Sequence, residues 1–122
     1  MAGTCNFLTW ALDADLHADV LISVQKFIEC QPIRFRDVQD LILEIRTRCK
    51  TMVIKVDLAG ANVFHLDVRS LTNLLVDVFE FTRNDMLLRA IEFQNSGFIF
   101  RNLYRPISLV IPRHVRALVV FT

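Results

Sequence analysis

The sequence predicts an α/β domain, with an N-terminal β-hairpin followed by helices and strands that alternate in a mostly parallel mixed sheet of about five strands. Three observations carry this. Two period-two apolar stretches flank a short polar turn near the N-terminus. Stretches of helical period then alternate with apolar runs, in the order β-β-α-β-α-β-α-β. The run TMVIKVDLAG is nearly continuously apolar, as a central strand covered on both faces would be. Strands separated by helices imply right-handed crossovers and parallel pairing. Hydrophobic residues make up 53% and charged residues 22% of the 122 residues, a balance that folds and fits a single domain spanning 1–122.

In the first strand, Cys5 to Leu12, period two puts Leu8, Trp10 and Leu12 on one face, and DADLHAD turns the chain. Val20, Ile22 and Val24 then alternate with Leu21, Ser23 and Gln25 in a second strand running to about Ile28. After Pro32 the period lengthens, and Val38, Leu41, Ile42, Ile45 and Cys49 mark an amphipathic helix. Met52, Ile54, Val56 and Leu58 follow on one side of the third strand and Val53 on the other. Lys55 and Asp57 fit this strand only near its ends or as a pair with each other. Asp67 is a good N-cap for a helix over Leu66 to Thr82, with Val68, Leu71, Leu74, Leu75 and Val78 inward and Leu66 stapled to Leu71. Asn84-Asp85 leads into a strand from Met86 to Phe93. Asn95-Ser96-Gly97 precedes a helical stretch with Ile99, Phe100 and Leu103, limited by Pro106, and Arg116 to Phe121 forms the last strand.

The net charge of +1 argues against bulk nucleic acid as a partner, yet the ends differ in sign. Residues 1–30 hold Asp13, Asp15, Asp19 and Glu29 against Lys26, and residues 86–122 hold Arg89, Arg101, Arg105, Arg113 and Arg116 against Glu92. Opposite ends of this kind can attract each other between copies, and scattered solvated charges are the ordinary alternative. Cys5, Cys30 and Cys49 form no C-x-x-C pair, so neither a disulfide framework nor a zinc site is expected, and Cys49 reads as core. No segment approaches the ~18 to 20 apolar residues of a membrane span. The N-terminus lacks the basic start and apolar stretch of a secretory signal, so an intracellular, cytoplasmic setting is expected.

The element order and the stretch VIKVDLAGANVFHLDVRSLTNLL resemble the STAS fold of anti-sigma-factor antagonists and sulfate-transporter tails. In that family a buried strand leads through a loop to D-S-S-G-L at a helix start. Here the corresponding residues read Asp67-Val68-Arg69-Ser70-Leu71, so the family's phosphate-accepting serine is replaced by Arg69 and its glycine by Ser70. The resemblance implies a STAS-like interaction domain without the phosphoryl switch and without the family's C-terminal helix. Its partner surface would comprise His65, Asp67, Arg69, Ser70 and Asn73.

Arg69 in a first helical turn opposes the helix dipole. With His65 and the helix amides it could form a small anion or carboxylate site, but no glycine-rich phosphate loop accompanies these residues, so a salt bridge to Asp67 or simple solvation is the favoured reading. His65 and Asp67 would need distant ligands to hold a metal, and His17 and His114 fall in expected turns, so no metal or other cofactor is expected. No nucleophile elbow or phosphate loop is present, and no enzyme is expected. Basic and aromatic residues interleave only in FIFRNLYR, residues 98–105, which could meet an acidic partner or single-stranded nucleic acid, or be a helix with arginines near its C-terminus. The expected function is therefore protein binding, to another copy of the chain or to a heterologous partner, with a structural component of a larger homo-oligomer as the alternative.

Overall fold

The computed structural model describes residues 7–30, 35–61, 69, 72–73, 88–95, 97, 101–102, 104–105, 108–109 and 113–122. Strands β1 (Leu8–Leu12), β2 (His17–Ser23), β3 (Thr51–Asp57), β4 (Leu88–Gln94) and β5 (Val119–Phe121) form one sheet in the order β1-β2-β3-β4-β5. β1 and β2 pair antiparallel, and every other neighbouring pair is parallel. The α/β class, the opening hairpin and the mostly parallel five-stranded sheet all stand as the sequence predicts.

The hairpin turn uses polar chemistry in place of glycine. The Asp13 carboxylate accepts from the N–H groups of Asp15 and His17, each at 2.9 Å, and Leu16 takes the left-handed conformation with φ 61°. A left-handed residue after such a turn matches the right-handed twist of the two strands. The Leu16 carbonyl then accepts from Lys50 N–H at 2.7 Å, tying the start of β3 to the hairpin.

β2 ends earlier than its alternation suggested. Helix α1 (Val24–Glu29) begins directly after Ser23, whose hydroxyl accepts from Lys26 N–H at 3.4 Å as an N-cap. Val24, Phe27 and Ile28 stand at i, i+3 and i+4, and Val24 and Phe27 are fully buried while Gln25, Lys26 and Glu29 are exposed. Val24 fits both periods, and only Phe27 breaks the tie toward a helix. Helix α2 (Phe35–Arg48) buries Val38, Ile42 and Ile45 as its periodicity requires, and Cys49 follows as a buried free thiol. The last strand is shorter than expected: Arg113–Arg116 is a helical turn, α3, and pairing begins at Val119.

The core joins Ala18, Val20 and Ile22 of β2, Met52, Ile54 and Val56 of β3 and Ile91 and Phe93 of β4 to the inner faces of α1 and α2. These strand residues are register partners on a single face of the sheet. The opposite face carries His17, Asp19, Leu21 and Ser23, then Thr51, Val53, Lys55 and Asp57, then Ala90, Glu92 and Gln94, then Val120, and none of them is buried. β3 is thus central but covered on one side only, which corrects the doubly covered strand expected from its composition. Helices α1 and α2, which connect β2 to β3, both pack into that buried face.

Lys55 and Asp57 consequently do not pair with each other. Lys55 Nζ lies 3.6 Å from Asp19 on β2, and the Asp57 carboxylate accepts from Ala59 N–H and from Asn95 Nδ2, both at 2.9 Å. That second bond ties the loops leaving β3 and β4. Gly60 follows with φ 73°, and a Cβ there would come 2.6 Å from the Gln25 amide oxygen, so glycine is required by its conformation and favoured by the space.

At the β4–β5 end, Tyr104 packs edge-on to Phe93 at 5.4 Å and to Phe121 at 5.2 Å, and Phe93 stacks on Phe121 at 5.5 Å. Burial raises the Tyr104 phenol above its usual value, against a smaller lowering by Arg116, and burial likewise raises the Cys49 thiol, against a smaller lowering by a backbone hydrogen bond. Both acids therefore keep their protons longer in the folded chain. The stability linked to them is fully present below their ordinary values of 9.0 and 10.0 and is lost as pH rises through the raised ones. Urea midpoints measured across that range should fall with rising pH, and combining Cys49→Ala with Tyr104→Phe should flatten the fall.

Candidate interaction surfaces

Two of the five residues expected at the partner surface are described. Arg69 and Asn73 are both helical and exposed, and at i and i+4 they share one side of the helix. His65, Asp67 and Ser70 lie outside the described residues, as do the Asp67 cap and the Leu66–Leu71 staple.

The open sheet face carries a polar row that sequence reading did not assemble. His17 Nδ1 shares a 2.7 Å hydrogen bond with Thr51 Oγ1, and His17 Nε2 lies 3.6 Å from the same Asp19 oxygen that faces Lys55. Lys55 is the register partner of Glu92, which accepts from Gln94 Nε2 at 3.4 Å. A hydroxyl, an imidazole and a carboxylate in sequence suggest a nucleophile triad, but the geometry is that of a register clamp. The imidazole–carboxylate separation is too long for a hydrogen bond. The Lys50 and Thr51 N–H groups both point to the Leu16 carbonyl, and neither is left to stabilise an oxyanion. The row also sits where β2 and β3 begin, whereas open parallel sheets place ligands outside the strand C-termini. His17 is at the start of β2, not in the turn expected for it.

Among the described residues, no group of three or more His, Cys, Asp or Glu side chains could hold a metal. Arg101 stacks over the Phe121 ring at 5.5 Å from its centroid and Tyr104 packs against Phe93 and Phe121, so these two residues of the 98–105 segment pack against the β4–β5 end of the sheet. Both edges of the sheet are strands: no described strand pairs with the outer side of β1 or of β5. β1 reads LTWAL, without charge or proline to blunt pairing, and Leu12, Leu16, Leu21 and Val120 are exposed at 39%, 37%, 37% and 47%.

One cysteine expectation is overturned. Cys30 is disulfide-bonded, and because Cys49 is free its partner lies outside the described residues. A pair spaced far apart in sequence leaves no motif to read. No helix among the described residues is long and apolar enough to cross a membrane.

The fold defines a class: an α/β domain with one antiparallel strand added to a singly covered parallel sheet. No family model and no curated protein matches the chain. Among solved structures it is similar to that of Sfh5, with 18% identity and a TM-score of 0.69 over 95% of this chain and 46% of that one. The likeness is one of fold, and the chain spans less than half of the Sfh5 chain.

Proposed function

We propose that this chain is a non-enzymatic, STAS-like protein-interaction module that associates with copies of itself and has no phosphoryl switch at the family position. The observation that carries the reading is the sheet itself: among the described residues no strand pairs with the outer side of the uncharged strand β1 or of β5, and exposed Leu12 and Val120 lie on them. A structural role in a larger homo-oligomer uses the same surfaces. The exposed pair Arg69 and Asn73 favours a second contact, in which the helix start receives a heterologous or self partner through His65, Asp67, Arg69, Ser70 and Asn73.

Titrating a fluorescently labelled chain with unlabelled chain tests the reading. Saturable binding is expected, and its absence up to millimolar protein overturns self-association. Arg69→Glu in both components should weaken binding if the helix start lies in the interface; unchanged affinity removes it from the interface.

A further inference from the structure

The two edges of the sheet carry opposite charge. Residues 8–23, which form β1, its turn and β2, contain Asp13, Asp15 and Asp19 and no lysine or arginine. Residues 97–122, which end in β5, contain Arg101, Arg105, Arg113 and Arg116 and no acidic residue. All seven of these charged side chains are exposed. Four strand spacings of about 4.8 Å separate the edges by roughly 19 Å. At physiological salt the Debye length is about 8 Å, so each edge presents its own sign to an approaching molecule.

Resting on the self-association reading above, we propose that copies of this chain associate head to tail, with the acidic β1 edge of one against the basic β5 edge of the next. Like edges repel, which disfavours the symmetric β1–β1 pairing that an uncharged edge strand would otherwise allow. An interface between unlike edges is heterologous, so it repeats from copy to copy, building rings or open chains instead of stopping at a dimer. β5 offers only three residues of ladder, so the charges supply much of the attraction and the contact is small and salt-dependent.

The test uses two charge-reversed proteins. Thr9→Lys, Ala11→Lys and Asp15→Lys together outweigh the remaining Asp13 and Asp19 and make the β1 edge basic, and Arg105→Glu, Arg113→Glu and Arg116→Glu together outweigh Arg101 and make the β5 edge acidic; all six positions are exposed. Each protein alone then has two edges of one sign and should self-associate about tenfold more weakly in sedimentation velocity, the scale expected when several rim ion pairs turn repulsive. An equimolar mixture restores unlike edges and should recover the wild-type weight-average mass. Wild-type association should also dissolve in about 1 M salt, where the Debye length is about 3 Å. Association that ignores both salt and the reversals, or a mixture no heavier than its components, overturns the head-to-tail contact and leaves self-association standing. A wild-type chain that is monomeric at every concentration overturns both.

Discussion

Ile54→Lys is expected to unfold the protein, whereas Val53→Lys, one residue earlier on the same strand, should change stability by about 1 kcal/mol or less. Ile54 is completely buried between register partners Val20 and Ile91, and an ammonium there loses its water without a counter-ion. Such a group costs several kcal/mol, against a total stability of about 5–15 kcal/mol for a domain. Val53 points to the open face, and its register partner on β2 is Asp19, so a lysine there stays solvated and gains an acidic neighbour. Urea denaturation followed by far-ultraviolet circular dichroism separates the two outcomes. Equal damage from both substitutions would mean that the second face is also covered.

Phe93→Ala carries the next largest effect. Phe93 is fully buried and forms the centre of the cluster with Tyr104 and Phe121. Its removal should cost about 3–5 kcal/mol from lost transfer energy and the cavity left behind. The melting temperature should then fall by roughly 10 °C or more. Tyr104 loses one of its two ring contacts at the same time, so the near-ultraviolet tyrosine signal should weaken even below the melting transition. Phe93→Leu, which refills most of the volume, should recover the larger part of the loss; a Phe93→Ala protein as stable as wild type would remove this cluster from the structural core.

The class of fold was legible because hydrophobic period is a local property. Val38, Ile42 and Ile45 declare α2 without reference to anything else in the chain, and the Asp13 turn declares the hairpin. The boundary between β2 and α1 was not legible, since Val24 is apolar in phase with both the strand before it and the helix after it. The coverage of β3 depends on what packs on each face of the sheet, which no run of residues along β3 encodes: Val53 reads as buried until α1 and α2 are known to pack on the face of Met52, Ile54 and Val56 and Val53 to stand on the other. The partners of Lys55 and Asp57 were invisible for the same reason, because Asp19 lies on β2, 36 positions away, and Asn95 in the loop after β4, 38 positions away. The charge contrast between the two ends could be read directly, but only the topology turns it into two opposed edges of one sheet. The disulfide at Cys30 shows the opposite limit, since three cysteines without a motif give spacing nothing to work on.

Function by self-binding is tested most directly by sedimentation equilibrium of the wild-type chain from micromolar to millimolar protein at low salt. The expected result is a weight-average mass that starts near the 14.1 kDa of a single chain and climbs continuously with concentration without levelling at twice that value. A single species of 14.1 kDa at every concentration would contradict it.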